Sequence, residues 1–296
     1  MCGLVRIMNA SGDRTLHFMT AQELVAKVKN LPPIPNAALR LIGLLDKADT
    51  ENDDIVQAIR FDNVLTAKLL RACNSPYFGF SEPVSSVDQA VLVLGHQQIL
   101  HIVLTLAFGS SMTVSLPGHA AESTDLWQHS LTTAMAAEVV ADGGLIQAER
   151  SVAFTAGLLH DIGKLVLGQV IDAGQLAAVR GCMDIGGLSQ SDAERQVLGA
   201  DHAEVGACLL KSWNLPEDVV EAVANHHRPT LTPRPLLSAV THVADCAAHL
   251  SAADPGAVTL EAAVAASLGI TPELMDQLVA EVRDASERVG HFMAMA

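Results

Sequence analysis

Apolar residues recur at helical rather than strand spacing along most of the chain. In LPPIPNAALRLIGLLDK (31–47), Ala38, Leu41, Leu44 and Leu45 follow one another at i, i+3 and i+4 behind three prolines, which predicts a helix entered through a proline turn. Asp53 and Asp54 ahead of IVQAIRF, and Asp62 ahead of NVLTAKLLRACN, mark two further helix starts, because carboxylates complement the unpaired N–H groups there. SPYFGFSEPVSS (75–86) reads as a loop, and the apolar run after it divides at Gly95 into two helices. Helix, glycine turn and helix superficially suggest a DNA reader, but ILHIVLTLAF (99–108) offers no basic face and is expected in the core. His96 and His101 are expected there as hydrogen-bonded structural groups.

MTVSLPGHAAESTD (112–125) is rich in Ser, Thr, Pro and Gly and separates this block from a second. There LWQHSLTTAMAAEVVA, ERSVAFTAGLLH, DIGKLVLGQVI, SDAERQVLG, DHAEVGACLLKSW, PEDVVEAVANHH and PRPLLSAVTHVADCAAHL read as helices, with an irregular stretch around 181–190. TPELMDQLVAEVRDASERV adds an amphipathic helix with Leu274, Leu278, Val279 and Val282 on its apolar face. The expected fold is all-α, with a leader over 1–20, one helical lobe over 21–117 and a second over 118–296.

Composition agrees with helices, since half of the 296 residues are hydrophobic while only 3% are aromatic, leaving Ala, Leu, Val and Ile to fill the core. A formal charge of -15 with 18 Lys and Arg disfavours duplex DNA as a partner, though Lys164 and Arg228 could serve a small anion. Five cysteines without a CxxC pair suit a reducing compartment. The start of the chain has no signal-peptide pattern, and the 99–108 run is too short to span a bilayer, so a soluble cytoplasmic protein away from membranes is expected.

The chemistry gathers in the second block. AGLLHDIGKLVLG (156–168) sets His160, Asp161 and Lys164 between apolar flanks. Taken alone, such a pair is a hydrogen-bonded helix terminus, with Asp capping and His donating to a carbonyl. Yet His129, His202, His226, His227 and Asp245 also fall on or at the ends of predicted helices, so a bundle can aim them all into one interior. Imidazoles and carboxylates together suit Fe, Mn or Zn, and Asp161 is the natural carboxylate to bridge two ions. Lys164, one turn beyond Asp161, could meet a phosphate oxygen.

AGLLHDIGK, DHAEVGACLLKSWNLP, VANHHRP and HVAD resemble the HDOD output domain, a branch of the HD phosphohydrolase superfamily, and IPNAALRLIGLLD with NSPYFGF resembles its helical N-terminal part. The resemblance covers roughly residues 20–250. It implies one metal site from His129, His160, Asp161 and Asp245, and another from Asp161, His202, His226 and His227. It implies also a bacterial signalling output module that works in trans through a histidine kinase, a response regulator or another output protein. The alternative is a metal-dependent phosphohydrolase or phosphodiesterase acting on a nucleotide or cyclic dinucleotide, with Asp161 and Lys164 as its catalytic residues. Related cyclic di-GMP phosphodiesterases follow their histidine pair with a GYP-containing loop, whereas this chain reads HHRPTLTPRP, which weighs against that substrate. Glu194, Trp213 and Pro216 fit the family pattern as structural residues, and Asp201 and His242 are expected behind the ligands or at the surface.

Overall fold

The computed structural model describes residues 18–28, 36–44, 51–112, 122–142, 149–231, 235–252 and 259–295. These residues form helices joined by turns, without a strand among them, so the all-α expectation holds. The first five helices are α1 (Ala21–Lys27), α2 (Asn36–Leu44), α3 (Asn52–Arg60), α4 (Asn63–Cys73) and α5 (Val87–Met112). Asp62 caps α4 by accepting from the Leu65 N–H, and Asp54 sits in a capping box at the start of α3. Within α5, Gly95 has φ 75° and ψ 170°, a break that only glycine adopts cheaply, and it divides the run where the pattern placed the turn. Residues 87–109 are long and apolar enough to cross a membrane, but Ile99, Val103, Leu104 and Phe108 are fully buried in the core.

The prolines expected to open α2 and the boundary near 118 lie outside the described residues, as does most of the leader. Part of the polar 112–125 stretch is helical, because α6 (Glu122–Asp142) already begins at Glu122. After it come α7 (Arg150–Leu159), α8 (Ile162–Val170), α9 (Ala173–Asp184), α10 (Gln190–Leu198), α11 (His202–Ser212) and α12 (Glu217–Asn225). A 3-10 turn at Pro229–Leu231 leads to α13 (Pro235–Ser251), α14 (Ala262–Leu268) and α15 (Pro272–Met295).

Three helices were not read from the apolar pattern. Helices α1 and α9 are announced instead by capping boxes, Thr20 with Glu23 and Asp172 with Gln175, and α14 is a short Ala-rich helix. On α15 the buried face is Met275, Leu278 and Val282, spaced i, i+3 and i+7, so Leu274 points outward and is exposed.

One apolar core runs from Leu24 to Val223, and a second joins α6, α13, α14 and α15 through residues such as Ala136, Val243, Leu268 and Val282. Helix α1 lies on α8 and α11, while α6 packs against both α7 and α13. His101 departs from expectation. Its ring stacks on Phe154 with centroids 3.9 Å apart, Nδ1 stands 3.7 Å from Glu138 Oε2 of α6, and Nε2 is buried without a hydrogen-bond partner.

Candidate metal centre

Helix ends build the site. His160 and Asp161 form the two-residue junction between α7 and α8, His202 opens α11, and His226 and His227 follow α12. His129 and Asp245 project from within α6 and α13. The junction can lie this close to α11 because Gly163 has no side chain: a Cβ there would stand 1.9 Å from the His202 carbonyl oxygen.

All seven sequence-predicted ligands come together. His129, His160 and Asp245 offer ligand atoms within 4.8 Å of one another, as do His202, His226 and His227, and His160, Asp161 and His226 link the two sets. Asp161 stands between them. Its Oδ2 is 3.3 Å from His160 Nε2 and 3.7 Å from His129 Nε2, whereas its Oδ1 is 3.3 Å from His202 Nε2.

Outer contacts fix which ring nitrogen faces inward. His160 Nδ1 donates to the Gly157 carbonyl at 2.7 Å, His226 Nδ1 to the Val223 carbonyl at 2.8 Å, and His202 Nδ1 to Glu194 Oε2 at 2.6 Å. With Nδ1 engaged, each Nε2 presents a lone pair to the centre, the arrangement metal-binding histidines use. The backbone bond of His160 is the one expected of a plain helix terminus, but Asp161 makes no side-chain cap bond and turns its carboxylate inward. Asp161 Oδ1, Asp245 Oδ1 and His226 Nε2 are buried without a hydrogen bond, although unpaired buried polar atoms are costly. Divalent ions would satisfy all three, so the residues fit such a group, in one position or two.

Electrostatics reinforce this. Burial alone would raise the carboxyls, but His160 and Lys164 hold Asp161 well below the usual range, and His129 and His160 do the same for Asp245. Burial also works against charge on His160, yet without an ion Asp161 and Asp245 lift it to about 10, so a metal would have to displace the Nε2 proton before taking that lone pair. His226 is pushed down to about 3 by burial and by His160 and His202, which keeps it a neutral ligand.

Lys164 Nζ donates to Asp161 Oδ2 at 2.7 Å and stays a quarter exposed, on the wall of a cavity of about 780 Å³ that reaches His129, Asp161 and Glu194. Leu167, Leu176, Val179 and Leu198 form an apolar side of this cavity, and Arg180 and Arg283 add cations.

Two residues join the site beyond the sequence-predicted ligands. Glu194, expected to be structural, is buried and accepts from both Nδ1 and the backbone N–H of His202. His249 lies one turn beyond Asp245 on α13 and lines the cavity. His242 and Asp201 stand behind the ligands: His242 Nδ1 donates to the His226 carbonyl at 2.8 Å, and Asp201 caps α11 by accepting from the Glu204 N–H. Trp213 is partly buried after α11, and Pro216 precedes α12.

Fold and site together define an all-helical protein with a buried His/Asp cluster fit for divalent ions. The chain belongs to the HDOD domain family, whose model matches residues 31–229. An HDOD domain protein of unknown function from Geobacter sulfurreducens superposes with a TM-score of 0.72 at 26% identity, over 93% of this chain and 95% of that one. A candidate signal-transduction protein from Marinobacter aquaeolei VT8 shares the fold with a TM-score of 0.74 at 23% identity, over 92% of this chain and 64% of that one. In sequence, a ribonuclease Y from Lawsonia intracellularis is 30% identical over 174 residues, which is 57% of this chain and 25% of the relative's length. The chain therefore spans a quarter of that protein, and 42% of an uncharacterised relative from Treponema pallidum.

Proposed function

We propose that this HDOD chain is a metal-dependent phosphoester hydrolase for small anionic substrates of the nucleotide type, with Fe, Mn or Zn as its ions. The observation that carries the reading is the placement of Asp161, whose two oxygens face separate imidazole sets. Ions held by those sets supply a nucleophile at neutral pH and neutralise charge that develops on a phosphoryl group. The chain's own residues supply position and charge. Glu194 orients His202, and His129, Asp161 and Lys164 face the cavity. Lys164 Nζ, already fixed by Asp161, is placed to meet a phosphate oxygen entering from the open side. The acidic surface favours a small phosphoester over a polymer, because the net charge of -15 repels an extended phosphate backbone. The ribonuclease relative, by its name, acts on RNA, which supports phosphoester chemistry but not the small size of the substrate.

The test is hydrolysis of bis(4-nitrophenyl) phosphate and a nucleotide panel by protein loaded with Mn, Fe or Zn. Turnover in wild type that disappears in D161N supports the reading, and full metal occupancy without turnover overturns it.

A second reading, a signalling output acting in trans on a histidine kinase, response regulator or other output protein in the cytoplasm, draws on a different observation. Phe61, Val64, Tyr77, Phe80, Leu92 and Val93 are large apolar residues exposed on α4, on α5, in the turn after α3 and in the loop between α4 and α5, as protein-contacting surfaces often are. The Marinobacter protein, described as a candidate in signal transduction, has the same fold. Both roles can coexist, with occupancy of the centre read out through the helices.

A further inference from the structure

We propose that His249 is an additional metal ligand, on the cavity side of the ion held by His129, His160 and Asp245. The inference rests on the metal reading of the centre but not on turnover. Asp245 and His249 are four residues apart on α13 and so share one helix face. His249 Nε2 is 3.4 Å from Asp245 Oδ1, and the His249 and His129 rings lie with centroids 4.3 Å apart.

Asp245 Oδ1 thus has three imidazole Nε2 atoms around it, His129 at 3.0 Å, His249 at 3.4 Å and His160 at 3.6 Å. Ligands bonded at about 2.1 Å to a shared ion stand roughly 3.0–3.6 Å apart when their bonds subtend about 90–120°. All three separations fall in that range. A charge-assisted hydrogen bond would bring His249 to about 2.7–2.9 Å, so a simple ion pair with Asp245 describes the contact less well. Geometry also divides the three. His160 is buried and closes the inner side, while His249 is 17% exposed on the cavity wall, so it approaches from the open side.

The consequence is chemical asymmetry. Counting His249, this ion has three imidazoles and Asp245 besides the shared Asp161, a nitrogen-rich set that selects Zn, Fe or Co over Mg or Ca. The family match ends at residue 229, so this ligand lies in a part of the chain beyond it.

The experiment titrates Co(II) and Zn(II) into chelator-stripped wild type, H249A and H249D, reading stoichiometry and affinity by calorimetry and coordination by the Co(II) absorption spectrum. Circular dichroism checks the helical fold, and H249D, which keeps an oxygen donor, carries the test if H249A does not fold. Wild type should take up two ions. In H249A one site should weaken at least about tenfold with a changed Co(II) spectrum, and H249D should recover part of the loss, while the other site is unmoved. H249A binding both ions with wild-type affinity and spectrum overturns the assignment, and wild type that binds no ion overturns it together with the metal centre. Loss of one site in H249A from a protein that hydrolyses no phosphoester upholds the ligand and defeats only the hydrolase reading.

Discussion

Glu194 Oε2 accepts two hydrogen bonds from His202, one from Nδ1 at 2.6 Å and one from the backbone N–H at 2.8 Å. Burial opposes both charges, but each partner outweighs it for the other, so His202 is held above its ordinary value and Glu194 below. E194A frees the ring to turn and should lower affinity at the His202, His226 and His227 ion by about 10- to 100-fold, with E194Q intermediate. Metal titration of the folded variants checks it. Equal affinity in E194A and wild type would show that His202 is oriented without its carboxylate.

Asp161 and Asp201 separate metal binding from plain stability. D161A removes the one carboxylate that faces both imidazole sets, so metal content after dialysis should fall for both ions. D201A should keep its metal and lose about 1 kcal/mol of stability, as expected for a helix cap, together with the 2.7 Å pair to Arg195. Metal analysis and urea unfolding of the two variants should give opposite patterns.

Gly163 sets the spacing between the His160–Asp161 junction and α11. A methyl group there meets the backbone carbonyl of His202, which cannot rotate away as a side chain could. G163A should destabilise the fold by about 3 kcal/mol or more and move Asp161 off His202. The checks are chemical denaturation and metal affinity. A variant as stable as wild type would show that α8 and α11 can part without cost.

His101 predicts an acid-sensitive fold. Burial, with Arg150, pushes it down to about 4 from 6.5, so between those values the unfolded chain binds more protons than the folded one. Its contribution is present above pH 6.5 and is lost as pH falls towards 4, by about 2 kcal/mol between pH 7 and pH 5. H101F keeps the stack on Phe154 and should flatten that slope. Urea midpoints of both proteins at pH 7 and pH 5 measure it, and parallel slopes would count against His101.

The candidate ligand set was legible because imidazoles and carboxylates carry their chemistry in their side chains, and because His160, Asp161, His202, His226 and His227 sit where helices begin or end, with only His129 and Asp245 inside α6 and α13. His249 and Glu194 were less so. His249 is one of many histidines until α13 turns it to the same side as Asp245, and Glu194 reads as a structural residue because nothing in SDAERQVLG shows that α10 aims it at His202. Helices α1 and α9 escaped a reading based on apolar stripes, since their starts are marked by side chain–backbone bonds at Thr20 and Asp172. The outward turn of Leu274 shows the same limit, because neighbouring apolar positions on α15 differ by 100° and only the packing partner chooses between them.

Helix α1 precedes α8 and α11 by well over a hundred residues in the chain, yet it rests on both, and the Met19 N–H donates to the Leu198 carbonyl across nearly 180 residues. Leu24 is fully buried there. This segment cannot complete its docking until α11 has followed α8, so its closure is a long-range event with a high loop-entropy cost. Helix α1 thus packs over the helix that follows the His160–Asp161 junction and the one that His202 opens, so assembly of the centre is tied to a contact between distant parts of the chain.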